Sequence, residues 1–381
     1  MKHYYTIVFT FIATLTFAQN NKQNIRGLVL DKLTQSPIQG AAVHISNSNK
    51  TTISDSIGNY TFSELNPGRY DIKVTYSGYK ESYIPNIVVT SGKEIILDIG
   101  LEEDFKSLKD VVVKSSNKAS SINKMATVSA RTFSMEEVNR YAGGRSDPAR
   151  LAANFAGVIN PDDSRNDIVI RGNSPNTVLW RLEGAEIPNP NHFVYSTGGA
   201  VSMLSSNVLD KTDFFTSAFP AEYGNGLAGV FDLRFRKGNN KKRETTIDAG
   251  FLGLGIASEG YFNKKSEASY LLNYRYSTAS ILESLGVNLS EGGNLNYQDL
   301  NYNIYLPTSK IGEFNVYGLY GKNTLKSSET ASESEDGNPT TGNFQSTSNN
   351  DVSTFIAGIG HRIFLQDSTY LKTNISYSSD D

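Results

Sequence analysis

The sequence predicts a mostly β protein in three parts: an N-terminal β-sandwich, a small mixed α/β unit, and antiparallel strands with one polar and one apolar face. The chain has 21 Tyr and 19 Phe although only 38% of its residues are hydrophobic. This balance is typical of strands rather than of a large helical core. Short runs of alternating apolar and polar residues recur between turn sequences. No apolar run of about 18 residues follows the N-terminus, which excludes a membrane-spanning helix.

The extreme N-terminus is predicted to be a secretory signal peptide comprising residues 1–18. Lys2 precedes an uncharged stretch, and the small residues around Ala18 are typical of a cleavage site after that residue. The alternative is a buried N-terminal strand. The sequence contains no cysteine, so disulfides, thiolate metal sites and thiol catalysis are excluded.

Residues 24–102 are predicted to form the β-sandwich. Period-two runs such as Tyr70 to Tyr76 are separated by turn sequences such as Asn66-Pro67-Gly68. The stretch resembles the carboxypeptidase regulatory-like domain, a transthyretin-like sandwich. The matching residues include Gly27-Leu28-Val29, Ser54-Asp55, Gly58, Tyr60, Phe62, Pro67-Gly68-Arg69-Tyr70 and Ser77-Gly78-Tyr79. The resemblance implies an accessory domain, either an interaction module or a spacer, and no peptidase activity.

Residues 103–124 are predicted to be a linker, because they are largely polar and rich in turn formers. Within them, Asp110, Val111, Val112 and Val113 form a short β-branched run. Such a run in a linker is able to add as an extra strand to the sheet edge of a partner protein. The alternative is an ordinary strand.

Residues 125–240 are predicted to form the mixed α/β unit. Ser134 and Glu137 have the spacing of a capping box, so a helix is expected from there to about Gly143. Asp147 with Pro148 behind it predicts the start of a second helix that ends at Gly157. A strand at 167–172, a turn and a returning strand at 177–182 are expected to follow.

This unit resembles the plug domain of TonB-dependent receptors. The resemblance is carried by Ile170-Arg171-Gly172, by Leu182-Glu183-Gly184, and by Phe219-Pro220-Ala221-Glu222-Tyr223-Gly224 with Gly226, Ala228-Gly229-Val230 and Lys237-Gly238. The family often has Asp in place of Glu183 and Gly in place of Ala228. The resemblance implies a plug inside a barrel, a TonB box at residues 110–113, and an energy-transducing partner of the TonB type.

Several plug residues are expected to have structural roles. Gly172, Gly184, Gly224 and Gly229 are expected to permit tight turns or close backbone approach, and Tyr223 belongs to the same motif. Arg171 and Glu183 are expected to lie on paired strands and to form an ion pair. For Arg171, packing against the barrel wall is favoured over contact with a ligand.

Residues 244–381 are predicted to be the first strands of an outer-membrane β-barrel. Tyr270, Leu272, Tyr274 and Tyr276 alternate with polar residues, as expected of strands with lipid on one face and water or a plug on the other. The polar stretch 327–350 is expected to be a long extracellular loop. The alternative is a soluble antiparallel sheet with one wet face.

Residues 244–381 are too few to form a complete barrel around a plug. A barrel that houses a plug has about 22 strands, whereas residues 244–381 accommodate about six to eight. The predicted barrel is therefore incomplete, and the chain is expected to be a fragment or a truncated product.

Enzymatic chemistry is not predicted. His44, His192 and His361 lie in three different parts of the chain, and no G-x-S-x-G, P-loop or H-E-x-x-H motif occurs. His192 is expected to be a plug-loop residue with ordinary hydrogen bonds rather than a ligand contact. No cofactor or metal site is predicted. The net charge of −3 provides no basic footprint for nucleic acid.

The resemblances imply a receptor of the Gram-negative outer membrane, with its sandwich in the periplasm, that takes up a nutrient. The expected partners are a TonB-type protein, outer-membrane lipid and a small ligand such as an iron chelate, glycan, peptide or vitamin. One alternative is an outer-membrane sensor that signals through the sandwich without transport. A second alternative is a secreted adhesin.

Overall fold

A computed structural model describes residues 22–46, 48–104, 130–141, 143–163, 165–192, 201–250, 253–278, 281, 293–308, 310–330, 345–366 and 369–381. It divides into two compact units, one up to Lys118 and one from Ala119 onward. The predicted signal peptide and the run from Asp110 to Val113 lie outside the described residues. None of the helices in the described ranges is long and apolar enough to cross a membrane.

The first unit contains eight described strands. They are β1 (Gln23–Asp31), β2 (Ala42–Ile45), β3 (Thr51–Ile53), β4 (Asn59–Leu65), β5 (Gly68–Thr75), β6 (Ser82–Val89), β7 (Ile95–Ile96) and β8 (Ile99–Leu101). One sheet has the order β4-β1-β7 with β8 also paired to β1, and the other has the order β3-β2-β5-β6. Burial alternates along β1, β2 and β4, as the period-two runs predict.

The core of this unit draws on both sheets. Ile25 and Tyr60 of the first sheet and Val43 and Ile72 of the second belong to one buried cluster. Two sheets that share a core in this way form a β-sandwich, so the fold predicted for residues 24–102 is confirmed.

The second unit begins with what we call the central segment, residues 130–240. Its helices are α1 (Met135–Arg140) and α2 (Pro148–Ala152), with a 3₁₀ helix at Pro175–Thr177. Its strands are β9 (Ala130–Phe133), β10 (Val158–Ile159), β11 (Val169–Ile170), β12 (Val178–Leu182), β13 (Ala185–Glu186), β14 (Asn191–His192), β15 (Val201–Ser202), β16 (Thr212–Phe215) and β17 (Gly229–Leu233). Five of them form a sheet in the order β13-β12-β17-β16-β9.

Both predicted helix starts are confirmed, but both helices are shorter than expected. The capping box of Ser134 and Glu137 is complete, and Asp147 accepts a hydrogen bond from the backbone N–H of Ala149. The chain leaves α1 at Tyr141, whose backbone is extended, before it reaches the glycines at 143 and 144.

The hairpin predicted for residues 167–182 is wrong. β11 pairs with β10, whereas β12 pairs in parallel with β17 and antiparallel with β13. Positive φ angles at Arg171 and Gly172, followed by the 3₁₀ helix, turn the chain away from β11. The apolar side chains of β12 then join a sheet that is formed by distant residues, which local turn chemistry does not indicate.

The rest of the second unit is a seven-stranded antiparallel sheet, which we call the large sheet. Its strands are β18 (Glu244–Ala249), β19 (Gly253–Tyr261), β20 (Ser269–Ser277), β21 (Gly293–Pro307), β22 (Glu313–Thr330), β23 (Gln345–Gln366) and β24 (Thr369–Asp380), each paired with the next in the chain. In the described residues the sheet is open, because β18 and β24 do not pair. The fold is thus mostly β, and the large sheet is an open antiparallel sheet.

The long loop predicted at 327–350 is partly wrong. β22 and β23 continue to pair as far as Thr330 and Gln345. Backbone ladder bonds are independent of side-chain polarity, so a polar sequence extends the hairpin beyond its apolar part.

The predicted alternation in the large sheet is confirmed. Leu272, Tyr274 and Tyr276 of β20 are exposed, whereas Leu271 and Asn273, which alternate with them, are buried. Exposed apolar side chains continue across the same face on the other strands: Ile247, Leu254, Ile256, Leu306, Tyr320, Phe355, Ile359, Leu371, Ile375 and Tyr377. The opposite face, which we call the inner face, packs against the central segment.

Candidate functional site between the central segment and the large sheet

The inner face of the large sheet is polar, yet it is buried beneath the central segment. Glu259, Asn273, Asp299 and Asn301 are each at most 2% exposed. Their strands place these side chains on the inner face because residues two apart in a strand point the same way. Burial of polar groups is costly unless they are hydrogen-bonded, so their partners define how the two parts are held together.

Side chains of the large sheet donate hydrogen bonds to main-chain carbonyls of the central segment. Four such contacts occur in the described residues: Arg275 Nη2 to Ser202 O at 2.6 Å, Asn301 Nδ2 to Met203 O at 3.1 Å, Asn303 Nδ2 to Arg236 O at 2.9 Å, and Asn374 Nδ2 to Glu183 O at 2.8 Å. They come from three strands, β20, β21 and β24. The sheet therefore holds the backbone of the central segment at well-separated points.

An ion pair reinforces this attachment near the end of the central segment. Arg236 Nη1 and Nη2 lie 2.6 and 2.7 Å from the two carboxylate oxygens of Glu259. Glu259 also accepts from the backbone N–H of Asn239 at 3.1 Å. The Glu259 side chain is 3% exposed and the Arg236 side chain 27%, so the carboxylate of this bidentate pair is shielded from solvent while the guanidinium is partly exposed.

A second charged group joins β14 of the central segment to β20 and β21. His192 Nε2 lies 3.1 Å from Asp299 Oδ2, and Arg275 contacts the same carboxylate through Nε at 2.9 Å and Nη2 at 2.8 Å. The ring of His192 packs on Tyr297 with a centroid separation of 4.6 Å. Neither His192 nor Asp299 has an exposed side chain.

Hydrogen bonds extend this group into the central segment. Asn191, next to His192, accepts from Asn166 Nδ2 at 2.6 Å, and the same nitrogen lies 2.7 Å from Asp147 Oδ2. Asp147 caps α2, and burial raises the pKa of its carboxyl group. Polar contacts thus run from the start of α2 to the large sheet, and a change at one end is able to affect the other.

We expect the central segment to be held less firmly at acid pH because of His192. Burial lowers the pKa of its imidazole below 6.5, although Asp299 opposes the shift. An imidazole with a lowered folded-state pKa binds its proton more readily in the unfolded state, so stability falls as the pH drops through 6.5. The measurement is the unfolding midpoint of the purified protein at pH 8, 7, 6 and 5.

His192→Asn supplies the control for this expectation. Asp147, Asp299 and Arg275 remain in the variant, so the difference between the two proteins isolates the titration of His192. The unfolding midpoint of the wild type is expected to fall relative to that of His192→Asn as the pH decreases from 8 to 5. A difference that stays constant across this range contradicts the assignment.

The plug-motif residues predicted from sequence do not form one site. Arg171 contacts Ser217 Oγ at 3.4 Å, whereas Glu183 accepts from the backbone N–H of Phe235 at 2.8 Å. The ion pair expected between Arg171 and Glu183 is therefore wrong, because their strands do not pair. Burial raises the pKa of the Glu183 carboxyl group.

The motif glycines differ in their roles. Gly172 and Gly184 have φ angles of 80° and 93°. A Cβ at Gly229 would lie 2.3 Å from Ile170 Cδ1, whereas one at Gly224 would have no atom within 4 Å. Tyr223 is buried and donates to Asp232 Oδ2 at 3.0 Å. These positions shape the central segment, and among them only Glu183 and Gly184 approach the large sheet.

Sequence reasoning missed the residues that join the two parts. Alternation with Tyr274 and Tyr276 puts Arg275 on the polar face of its strand, but no sequence motif singles out Glu259 or Asp299. The available signal was an acidic residue at an inner-face position of a strand whose other face is apolar. No group of His, Cys, Asp or Glu suited to a metal ion occurs among the residues that the structure describes.

Comparison with known proteins supports the N-terminal assignment directly. Residues 24–102 match the family model of the carboxypeptidase regulatory-like domain. The sequence prediction for this domain is confirmed. A search of curated protein sequences finds no match.

The chain is also similar to several solved structures, among them a siderophore receptor and an iron transporter. It is 13% identical to the siderophore receptor PirA from Acinetobacter baumannii, covering 66% of this chain and 48% of that one, with a TM-score of 0.37. For FpvAI in its complex with pyocin S2 the identity is 13%, the coverage 93% and 46%, and the TM-score 0.46. The chain is 12% identical to the FrpB iron transporter from Neisseria meningitidis. The match covers 56% of this chain and 41% of that one, with a TM-score of 0.31.

The chain therefore spans less than half the length of each of these three structures.

Proposed function

We propose that the protein is a TonB-dependent receptor of the outer membrane that transports a small solute, with the central segment as its plug. The observation that carries the proposal is that the two faces of the large sheet differ in polarity and burial. One face exposes apolar side chains on all seven strands, and the other clamps a folded segment through buried polar contacts. A lipid-facing barrel wall with a plug behind it needs this combination.

The nature of the contacts fits a plug that has to move. Hydrogen bonds to main-chain carbonyls and a small number of charged groups hold the central segment, and water is able to replace each of them. Water would not replace the contacts of a purely apolar interface in this way if the segment moved. The hydrophobic cluster shared with the sheet is limited to residues such as Leu271, Tyr317, Leu319 and Ile356.

We place the coupling site at Asp110 to Val113. This run follows the sandwich and precedes the plug, where a periplasmic partner would reach it by strand addition. The outer membrane has no nucleotide supply, so the work of transport has to come from such a TonB-type partner. The sandwich at 24–102 lies in the periplasm in this proposal. Iron chelates, glycans, peptides and vitamins are the solute classes to test.

Deleting residues 108–114 tests the coupling in cells that make the full-length protein. We expect uptake of a radiolabelled panel of these solutes to fall to the level seen with a protonophore. Deletion of residues 115–121 is the matched control, because this stretch has the same length and is mostly polar. This variant is expected to retain uptake. Unchanged energy-dependent uptake by the first variant, at normal levels in the outer membrane, contradicts the proposal.

The same panel separates transport from signalling. The sandwich has its own core and belongs to a compact unit, which is what a receptor that signals through this domain would require. A ligand-dependent response without accumulation of label would favour that function.

A further inference from the structure

The outward face of the large sheet changes from apolar to polar between two neighbouring rows of residues. The strand register aligns one row of apolar side chains across five strands: Ile256, Tyr274, Leu300, Tyr320 and Phe355. The next row toward the end of β20, which we call the polar row, begins with Leu254 and Tyr276 on β19 and β20 and becomes polar at Gln298, Lys322 and Ser353 on β21, β22 and β23. If lipid covers the apolar row, the polar row lies at the level of the headgroups.

A groove opens on this face at the polar row. It has a volume of about 240 Å³ and is formed by β20, β21 and β22. The outward-facing residues that line it are Tyr276, Asn296, Gln298, Lys322 and Thr324. Sites for drug-sized ligands usually exceed about 300 Å³, so this groove suits a single small polar group.

The chemistry of the groove favours an anion. Lys322 is the one charged residue in its lining, and it takes part in none of the ion pairs formed within the described residues. Tyr274 donates to Gln298 Oε1 at 2.8 Å, which orients the amide and leaves its NH₂ group as a donor. The hydroxyl of Thr324 adds a further donor.

One acidic residue lies close to the groove. Asp351 is opposite Thr324 in the register and is exposed. It is not part of the lining and forms no described ion pair with Lys322. Asp351 opposes the binding of an anion at this position, and so it provides a useful variant for a test.

We propose that this groove binds the phosphate of an anionic membrane lipid, with Lys322 as the cation. The inference rests on the proposed function, since it requires lipid against the apolar row. The acyl chains would lie along Tyr274, Leu300 and Tyr320, while the lysine stem crosses from the apolar to the polar row. A free phosphate would gain nothing from the apolar row, whereas a lipid contacts both rows.

The test uses the full-length protein in a neutral detergent and native mass spectrometry. The probe is lysophosphatidic acid, with lysophosphatidylcholine of the same acyl chain and inorganic phosphate as comparisons. We expect lysophosphatidic acid to bind most tightly and inorganic phosphate to compete poorly. Lys322→Gln is expected to weaken binding by at least about tenfold, because a charged hydrogen-bonded contact is lost.

Two variants serve as controls. Asp351→Asn is expected to bind the probe at least as tightly as the wild type, and Lys310→Gln, in a turn at the opposite ends of the strands, is expected to bind it equally. Equal binding by Lys322→Gln and the wild type overturns the site. Inorganic phosphate that competes as well as the lipid overturns the assignment to lipid.

Failure of this inference is distinguishable from failure of the proposed function. If the wild type takes up solute and Lys322→Gln still binds the probe normally, only the lipid site is contradicted. If the wild type shows no energy-dependent uptake but binds the lipid through Lys322, only the transport proposal is contradicted.

Discussion

Replacing Arg236 by Met is expected to destabilise the second unit by about 3–5 kcal/mol, since it leaves the Glu259 carboxylate buried without its bidentate partner. The carboxylate would keep its hydrogen bond from the backbone N–H of Asn239, which does not supply the positive charge that Arg236 provides. The measurement is the unfolding midpoint of the detergent-solubilised protein in urea. An equal slope of unfolding free energy against urea in both proteins shows that they unfold in the same transition.

Two further variants make this prediction specific. Arg236→Met combined with Glu259→Leu removes both charges and is expected to recover most of the lost stability. Lys241→Met breaks the neighbouring but exposed pair with Glu267, and is expected to cost at most about 1 kcal/mol. If Arg236→Met has as small an effect as Lys241→Met, the buried pair does not hold the segment.

Gly238→Ala is expected to destabilise the second unit by about 3 kcal/mol. A Cβ at this position would lie 2.1 Å from Tyr270 O and 2.6 Å from its carbonyl carbon. The obstacle is the backbone of β20, which is fixed by pairing with two neighbouring strands. Relief therefore requires the central segment to move away from the sheet.

Gly224→Ala is the matched control, because a Cβ there meets no atom within 4 Å. We expect its unfolding midpoint and its level in the outer membrane to resemble those of the wild type. Similar losses in both variants would show that the effect of Gly238→Ala is not caused by the close approach to Tyr270.

The elements that sequence predicted well are those whose signals are local. The capping box at Ser134 and Glu137 depends on residues three apart, and the alternation in β20 depends on residues two apart. The sandwich combined such runs with a recognisable set of turns. In each case the deciding interactions involve near neighbours in the chain.

The elements that failed depend on distant residues. β12 pairs with β17, about fifty residues further along, and with β13, but not with β11, the preceding strand that the predicted hairpin required. His192 contacts Asp299, which is 107 residues away in the chain, so the local sequence around His192 does not predict its burial. The same holds for Arg171 and Glu183, whose pairing was inferred from a hairpin that does not form.

The donors that reach from the large sheet to the central segment recognise carbonyl groups, which every residue has. Ser202 and Met203 contribute only their main chains to the bonds with Arg275 and Asn301. Their side chains are therefore free to change in evolution without loss of these two attachments, as long as the new side chains fit. Under the proposed function, the plug of such a receptor is able to acquire new sequences, and with them new specificities, while the sheet that holds it stays the same.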